Sequence, residues 1–600
     1  VILVTLDTTR ADALGAYGGP ATPTLDALAA SGTRFDAALS PTPLTQPAHA
    51  TLLTGLEPWA HGVRRNGERA LDEQHTTLAE LLAAQGYATA ASIGAFVTRS
   101  EWGFGQGYGT LFQDLTPEPG GNPWHLERAA DDVVAQAVTW LDGVPTETPA
   151  HVWVHLYDAH APYQDSYAAE VQRMDAAVGT LVAAQARRNR PVLWVIAGDH
   201  GESLGEHAES THGLFVYQST QRVPLILSGA GVPVGVHTDV VPLSQVLPRV
   251  LGVLGLRAWA EPAAAPVLLE SWSLADRYGW APHRALVDQG FKLVATPTPE
   301  LYDLGSDPDE QRDLAQHDPE RVAAMLSVFD GLAPGVPDTP QVQDAATRAQ
   351  LAALGYLLPE PLARVDGDDP KDHADTLALL EQAAEAEHAG DLDRAADVLT
   401  QVVDAEPTLR DPWLRLLRLR PEPLLAERAA TACPDAPNVL LLAGTVLGQA
   451  GHHDRTLELS AQALALRPDS LAAAQLHVTA LDLSGQSDQA LVEAQALLTQ
   501  HPDEPALHGI VGLLLVSQGR GTEAIVHLER ALQSPHPPQG VRVYATRAAL
   551  HADQVDTARQ LIDAELADYP ASVEARSLAM AVCMLQGDTA AAAAHQAQLP

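Results

Sequence analysis

Three strand-like apolar runs in the first 200 residues each stop at ionisable side chains. VILVTLD ends on Asp7, HVWVHLYDAH reaches Asp158 and His160, and PVLWVIAGDH ends on Asp199-His200. Near-continuous apolar runs read as strands covered on both faces, the pattern of a parallel sheet. Between them, TPTLDALAASG and HTTLAELLAAQGY carry helical periodicity. This alternation predicts an α/β domain with a mostly parallel sheet and helices on both faces. Ligands of such sheets bind beyond the carboxyl ends of the strands. A single Asp after a strand commonly serves a turn or a helix cap. Three strand ends carrying acids and imidazoles point to one shared site.

Asp7, Asp199 and His200 supply two carboxylates and one imidazole. That mixed oxygen and nitrogen set suits one divalent cation, Mn²⁺ or Zn²⁺ ahead of Ca²⁺, which prefers oxygen alone. The fourth ligand expected is the hydroxyl of Thr45, in PLTQPAHATLLTG. Pro47 marks the expected start of a helix with Thr45 just before it, and a helix N-terminus favours an anion. His49 follows four residues later, one turn along the same face.

The chain divides by texture. Residues 1–330 hold the α/β pattern, with a small antiparallel subdomain over about 260–330, signalled by the hairpin-like HRALVDQGFKLVATPTPELYDL. Residues 331–371 are rich in Pro, Gly and Asp and read as a linker. From 372 to 600 strand signals vanish. Gly451, Gly485 and Gly519 are 34 apart, as are Pro468 and Pro502, and Ala490, Ala524, Ala558 and Ala592. Helix–turn–helix units of that length resemble tetratricopeptide repeats (TPR), with about six units forming an all-α solenoid. Such a surface suggests a protein or peptide partner, or packing within the chain.

Bulk properties narrow the partners further. With 36 basic and 76 acidic residues the chain carries a formal charge of −40, which argues against nucleic acid. The two cysteines, Cys433 and Cys583, both lie in the C-terminal half, so neither a disulfide framework nor a thiolate cluster serves the α/β region. No apolar run reaches the ~18–20 residues of a membrane span. The chain starts at Val1 inside a strand pattern, so an upstream segment is expected to have been trimmed.

The stretches VTLDTTRADALGAYG, TPTLDALAASGTRF, PLTQPAHATLLTG, HGVRRN, VHLYDAHAPY, GDHGESLGEHAESTHG, RVPLIL and ELYDLGSDPDEQRDL resemble, in order and spacing, the sulfatase family of the alkaline phosphatase superfamily. The resemblance covers about the first 360 residues. It implies an alkaline-phosphatase-like α/β sandwich and an exported or periplasmic location. Its metal ligands fall on Asp7, Asp199 and His200, and its nucleophile on Thr45. The position of the signature arginine is His49. Asn66 corresponds to a substrate-oxygen contact. His160 and His212 correspond to leaving-group or general-acid positions. The sequence departs from the family at Thr8, where a second Asp is usual, at His49, in lacking a lysine-bearing motif, and above all at Thr45.

Sulfatases oxidise a signature Cys or Ser to formylglycine. Threonine carries a methyl on Cβ, so its oxidation gives a ketone and that route is closed. A cation-activated Thr hydroxyl still serves as a nucleophile. The resemblance therefore implies a metal-dependent hydrolase of phosphoester, phosphonate ester or sulfate ester bonds, without formylglycine, on a small-molecule, glycan-linked or lipid-linked substrate. Two further readings stand beside it. One is a phosphotransferase, resembling phosphoethanolamine transferases, which passes the same intermediate to an acceptor. The other is a non-catalytic sulfatase-like domain on a TPR interaction scaffold. Asp158, His160 and His212 are the candidate ligands if a second cation binds.

Overall fold

The computed structural model describes residues 1–115, 127–258, 260–332, 334–335, 367–468, 470–534, 540–569 and 572–598. It divides into two compact units, Val1–Asp391 and Leu392–Pro600. The expected linker at 331–371 lies mostly outside the described residues. The helix Ala374–His388, which the sequence placed in the repeats, belongs to the first unit.

Nine described strands build the main sheet of the first unit. They are β1 (Ile2–Leu6), β2 (Gly32–Leu39), β3 (Ala88–Ile93), β4 (Thr110–Phe112), β5 (Ala150–Leu156), β6 (Leu193–Gly198), β7 (Arg222–Val223), β8 (Leu225–Gly229) and β9 (Gly235–Pro242). The order is β4-β3-β5-β1-β6-β8-β2-β7, with β9 paired to β2. The run β4-β3-β5-β1-β6 is parallel throughout; β8 joins β6 antiparallel. The three acid-tipped runs are therefore the adjacent strands β5, β1 and β6. Leu6 registers with Leu156 on one side and Gly198 on the other. The residues that follow, Asp7, Tyr157 and Asp199, thus leave the sheet at one edge.

The strands alternate between two cores because side chains alternate faces. Ile2, Val4, Leu6, Val152, Val154 and Leu156 meet the helices Ala130–Gly143 and Tyr167–Arg188. Leu3, Trp153, Val195 and Ala197 face the opposite core, which takes in Ala50, Leu52 and Leu53 of the helix Thr45–Thr54. By the same alternation Thr5 and His155 fall on this second face. Thr77 opens the expected helix near residue 78 with a reciprocal capping box to Glu80.

The small antiparallel sheet follows as β10 (Val267–Ser271), β11 (His283–Asp288), β12 (Phe291–Val294) and β13 (Glu300–Asp303). Its apolar face, with Leu286, Leu293 and Leu301, packs with Val322, Met325 and Phe329 of the helix Pro319–Leu332. The second unit is all helical among its described residues. Gly451, Gly485, Gly519 and Gly587 sit between successive helices with φ of 75–87°, and Asp553 holds the same repeat position at φ 59°. The 34-residue spacing is thus a spacing of left-handed turns, which glycine enters without a Cβ clash.

Candidate active site

The strand edge gathers Asp7, Asp199 and His200, whose ligand atoms all lie within 4.8 Å of one another. All three side chains are fully buried. Both carboxylate oxygens of Asp7, and Oδ2 of Asp199, have no hydrogen-bond partner. Burial pushes the Asp7 carboxyl well above its ordinary value, and neighbouring Asp199 adds to the rise. Burial likewise pushes Asp199 up to about 8. Two orphaned buried carboxylates beside an imidazole are unfavourable alone and fit a divalent cation.

The helix Thr45–Thr54 presents Thr45 to this cluster, with Oγ1 3.3 Å from His200 Nε2. The helix begins at Thr45, two residues before the expected Pro47, and its N-cap is Leu44, which has no side chain able to cap. Thr45 is therefore free of the capping role that a Thr in this context commonly takes. The Gln46 N–H donates instead to Asn66 Oδ1 at 2.9 Å. That bond fixes the Asn66 amide and leaves its buried Nδ2 without a partner. Gln46 itself is locked between Gly67 N–H and the Arg69 carbonyl.

His49 lies beneath Thr45, fully buried. Its Nδ1 is 2.8 Å from the Thr45 carbonyl oxygen and its Nε2 is 3.1 Å from Thr5 Oγ1. Burial lowers its pKa to about 4, so the ring is neutral at pH 7. Where an arginine would offer a permanent cation, His49 offers a wedge under the first turn of the helix.

His212 and His160 stand on the other side of His200. The His212 ring centroid is 4.6 Å from that of His200 and 5.0 Å from that of His160. Glu202 Oε1 is 2.9 Å from His212 Nδ1, and Tyr163 donates to the other Glu202 oxygen at 3.1 Å. Burial lowers the His212 pKa to about 4. With Glu202 ionised, this contact places the ring proton on Nδ1 and leaves Nε2 as an acceptor. His160 stacks on Tyr157 at 4.4 Å, with Nδ1 2.6 Å from the Ala161 carbonyl oxygen. Asp158 is spent differently, accepting from the Ala130 N–H at the start of the helix Ala130–Gly143. It takes no part in the cluster.

Several residues here escaped the sequence reading. Glu202 sits in GDHGES, where its orienting role depends on a loop bringing it to His212. Thr5 and His155 sit inside strands, and period-two alternation gives them a face but no partner. Thr8, in place of a second Asp, has φ 48° and a buried Oγ1 without a partner. A β-branched residue there is strained by about 1–3 kcal/mol.

Residues 1–256 match the family model described as Sulfatase. The curated relatives include an uncharacterized sulfatase, YidJ, of Escherichia coli K12, 30% identical over 24% of this chain and 32% of the relative. Arylsulfatase A of Bos taurus is 43% identical over 15% of this chain and 19% of its own. Choline-sulfatase of Rhizobium meliloti is 27% identical over 25% and 33%. The chain thus spans about a third or less of these three relatives. Among solved structures, one in complex with its substrate D-glucosamine-2-N,6-O-disulfate is 17% identical, covering 55% of this chain and 96% of that one at a TM-score of 0.47. A 2-O GAG sulfatase is also 17% identical, covering 55% and 90% at a TM-score of 0.46.

Proposed function

We propose that the first unit is a cation-dependent hydrolase of phosphate, phosphonate or sulfate esters, with the Thr45 hydroxyl as nucleophile and no formylglycine. The observation that carries this reading is Thr45 Oγ1 3.3 Å from His200 Nε2, at a helix N-terminus with no side-chain cap. A divalent cation, Mn²⁺ or Zn²⁺, held by Asp7, Asp199, His200 and the Thr45 hydroxyl would supply Lewis acidity to that hydroxyl and to the ester oxygens.

The chain's own groups account for the rest. The Thr45 oxygen attacks the central atom as the bond to the leaving alcohol breaks. His212 Nε2 accepts the Thr45 proton and returns it to the departing oxygen. Glu202 holds His212 in the tautomer that this relay needs. Asn66 Nδ2 donates to a non-bridging oxygen, and His160 flanks the leaving group. Water then attacks the esterified Thr45, and the relay restores its hydroxyl. His49 acts through Thr45 by fixing its carbonyl. Phosphorus is preferred over sulfur. A gem-diol expels sulfate by collapsing to an aldehyde, whereas a threonyl ester must be cleaved at the central atom, a step phosphorus accepts more readily.

The experiment is a panel of p-nitrophenyl phosphate, bis-phosphate, phosphonate and sulfate with added Mn²⁺, Zn²⁺ or Ca²⁺, run beside Thr45→Ala. Cation-dependent release of p-nitrophenol that vanishes in the variant is expected. No turnover of any ester with any cation, or equal turnover by the variant, overturns the reading. The acidic repeats of the second unit are proposed as a surface for a peptide partner, with capture of basic peptides as the check.

A further inference from the structure

His212 rides on a loop, and that loop is tied to a helix far along the chain. Within the loop, the Ser203 N–H donates to the Thr211 carbonyl at 2.6 Å, and buried Glu209 accepts from the Leu214 and Phe215 N–H groups at 2.7 and 3.3 Å. From the small sheet, the Ser271 hydroxyl donates to the Gly213 carbonyl at 2.6 Å. The remaining tie comes from the helix Ala374–His388. The Ser210 N–H donates to Glu381 Oε2 at 3.3 Å, and the Ser210 hydroxyl donates to the same oxygen. Ser210 stands two residues before His212.

The loop needs outside support. His207 and Ala208 are consecutive residues in the left-handed region, at φ 53° and 61°. Side chains other than glycine's are strained there, and such a turn persists only where its surroundings hold it. The helix supplies part of that hold along one face. Ala374 and Leu377 line a cavity of about 280 Å³ together with His207 and Ala208. Glu381, one turn beyond Leu377 on the same face, reaches Ser210. Its arrival is opposed by charge: burial raises the Glu209 carboxyl, and the charge of Glu381 adds to the rise. The two Ser210 donors offset that repulsion, since hydrogen bonds to a carboxylate are strong.

We propose that Glu381 is a positioning residue for His212, acting through Ser210 on the loop that carries the imidazole. The helix lies outside the matched residues 1–256, and it ends at His388, close in sequence to the start of the second unit at Leu392. A segment beyond the family match thereby helps to set the proton relay. This inference rests on the role given to His212 in the reading above.

The test is steady-state kinetics of the full-length chain on the best p-nitrophenyl ester of the panel, beside hydrogen–deuterium exchange. Glu381→Ala is expected to lower kcat at least about tenfold with KM little changed, because a small displacement of the relay slows the chemical step more than binding. Exchange over residues 203–214 is expected to quicken. Glu381→Gln keeps an oxygen that accepts both Ser210 donors, and a rate within about threefold of wild type is expected. Ser210→Ala is expected to lower kcat less than Glu381→Ala, and the double variant no further than Glu381→Ala alone. Unchanged kcat and exchange in Glu381→Ala, or an equal fall in Glu381→Gln, overturns the inference and leaves the proposed function standing. Additive losses in the double variant overturn it too. If Glu381→Ala does not fold, Ser210→Ala decides, and an unchanged kcat there counts against the inference. A wild type that turns over no ester of the panel overturns both.

Discussion

Thr45 Oγ1 stands 3.3 Å from His200 Nε2, and the helix that carries it has no capping side chain. The hydroxyl is therefore held toward the carboxylate pair instead of being used to start its own helix. If it is the nucleophile, Thr45→Ala lowers kcat by at least about 10³-fold, while Thr45→Ser keeps a measurable rate because the attacking oxygen remains. Steady-state rates on the best p-nitrophenyl ester of the panel decide this.

Glu202 fixes His212 through Nδ1 at 2.9 Å. Glu202→Ala removes the partner that selects the tautomer and leaves Thr45 in place. A fall in kcat of about 10²–10⁴-fold, with KM little changed, is expected from loss of the proton relay. An unchanged kcat would remove Glu202 from the mechanism.

The carboxylate pair makes the cation-free protein sensitive to pH. Burial raises Asp199 to about 8 and moves Asp7 in the same direction. On unfolding, both return to about 4. Between those values the native state binds more protons than the unfolded state, so stability falls as pH rises. Urea midpoints in EDTA are expected to drop from pH 5 to pH 8. Saturating Mn²⁺, by stabilising the ionised pair, is expected to flatten that drop.

Lys292 and Glu310 form an ion pair of 2.7 Å with both side chains buried. Glu310 also accepts from the Gln218 N–H at 2.5 Å, which ties the ion pair to the short helix Gln218–Gln221 leading into β7. Lys292→Met leaves the carboxylate buried without its counter-charge, with an expected loss of about 3–5 kcal/mol by urea denaturation. The double variant Lys292→Met/Glu310→Gln is expected to recover a large part of it.

Asp553 occupies the repeat position that carries glycine in four other turns, at φ 59°. Asp553→Gly removes a left-handed side chain and is expected to stabilise the repeats by at most about 1 kcal/mol. A raised thermal midpoint of the full-length chain is the check.

The amino-acid sequence by itself determined the strands β1, β5 and β6, because a near-continuous apolar run has few alternatives to a covered strand. It also placed Asp7, Asp199 and His200 beyond their ends, and the left-handed turns at Gly451, Gly485 and Gly519. These features are local: they follow from period, from strand ends and from glycine's freedom. Asn66, His160 and His212 were legible through motif resemblance, although their hydrogen bonds were not. Only the tertiary structure decided that Leu44 is the cap of the helix Thr45–Thr54, that Asp158 serves the helix Ala130–Gly143, and that Glu202 holds His212. It alone joined Thr5, His49 and His155 beneath the carboxylates, residues up to 150 positions apart. The physical reason is that sheet order and register set which strand faces meet. A buried polar atom's role depends on the partner that those faces bring to it.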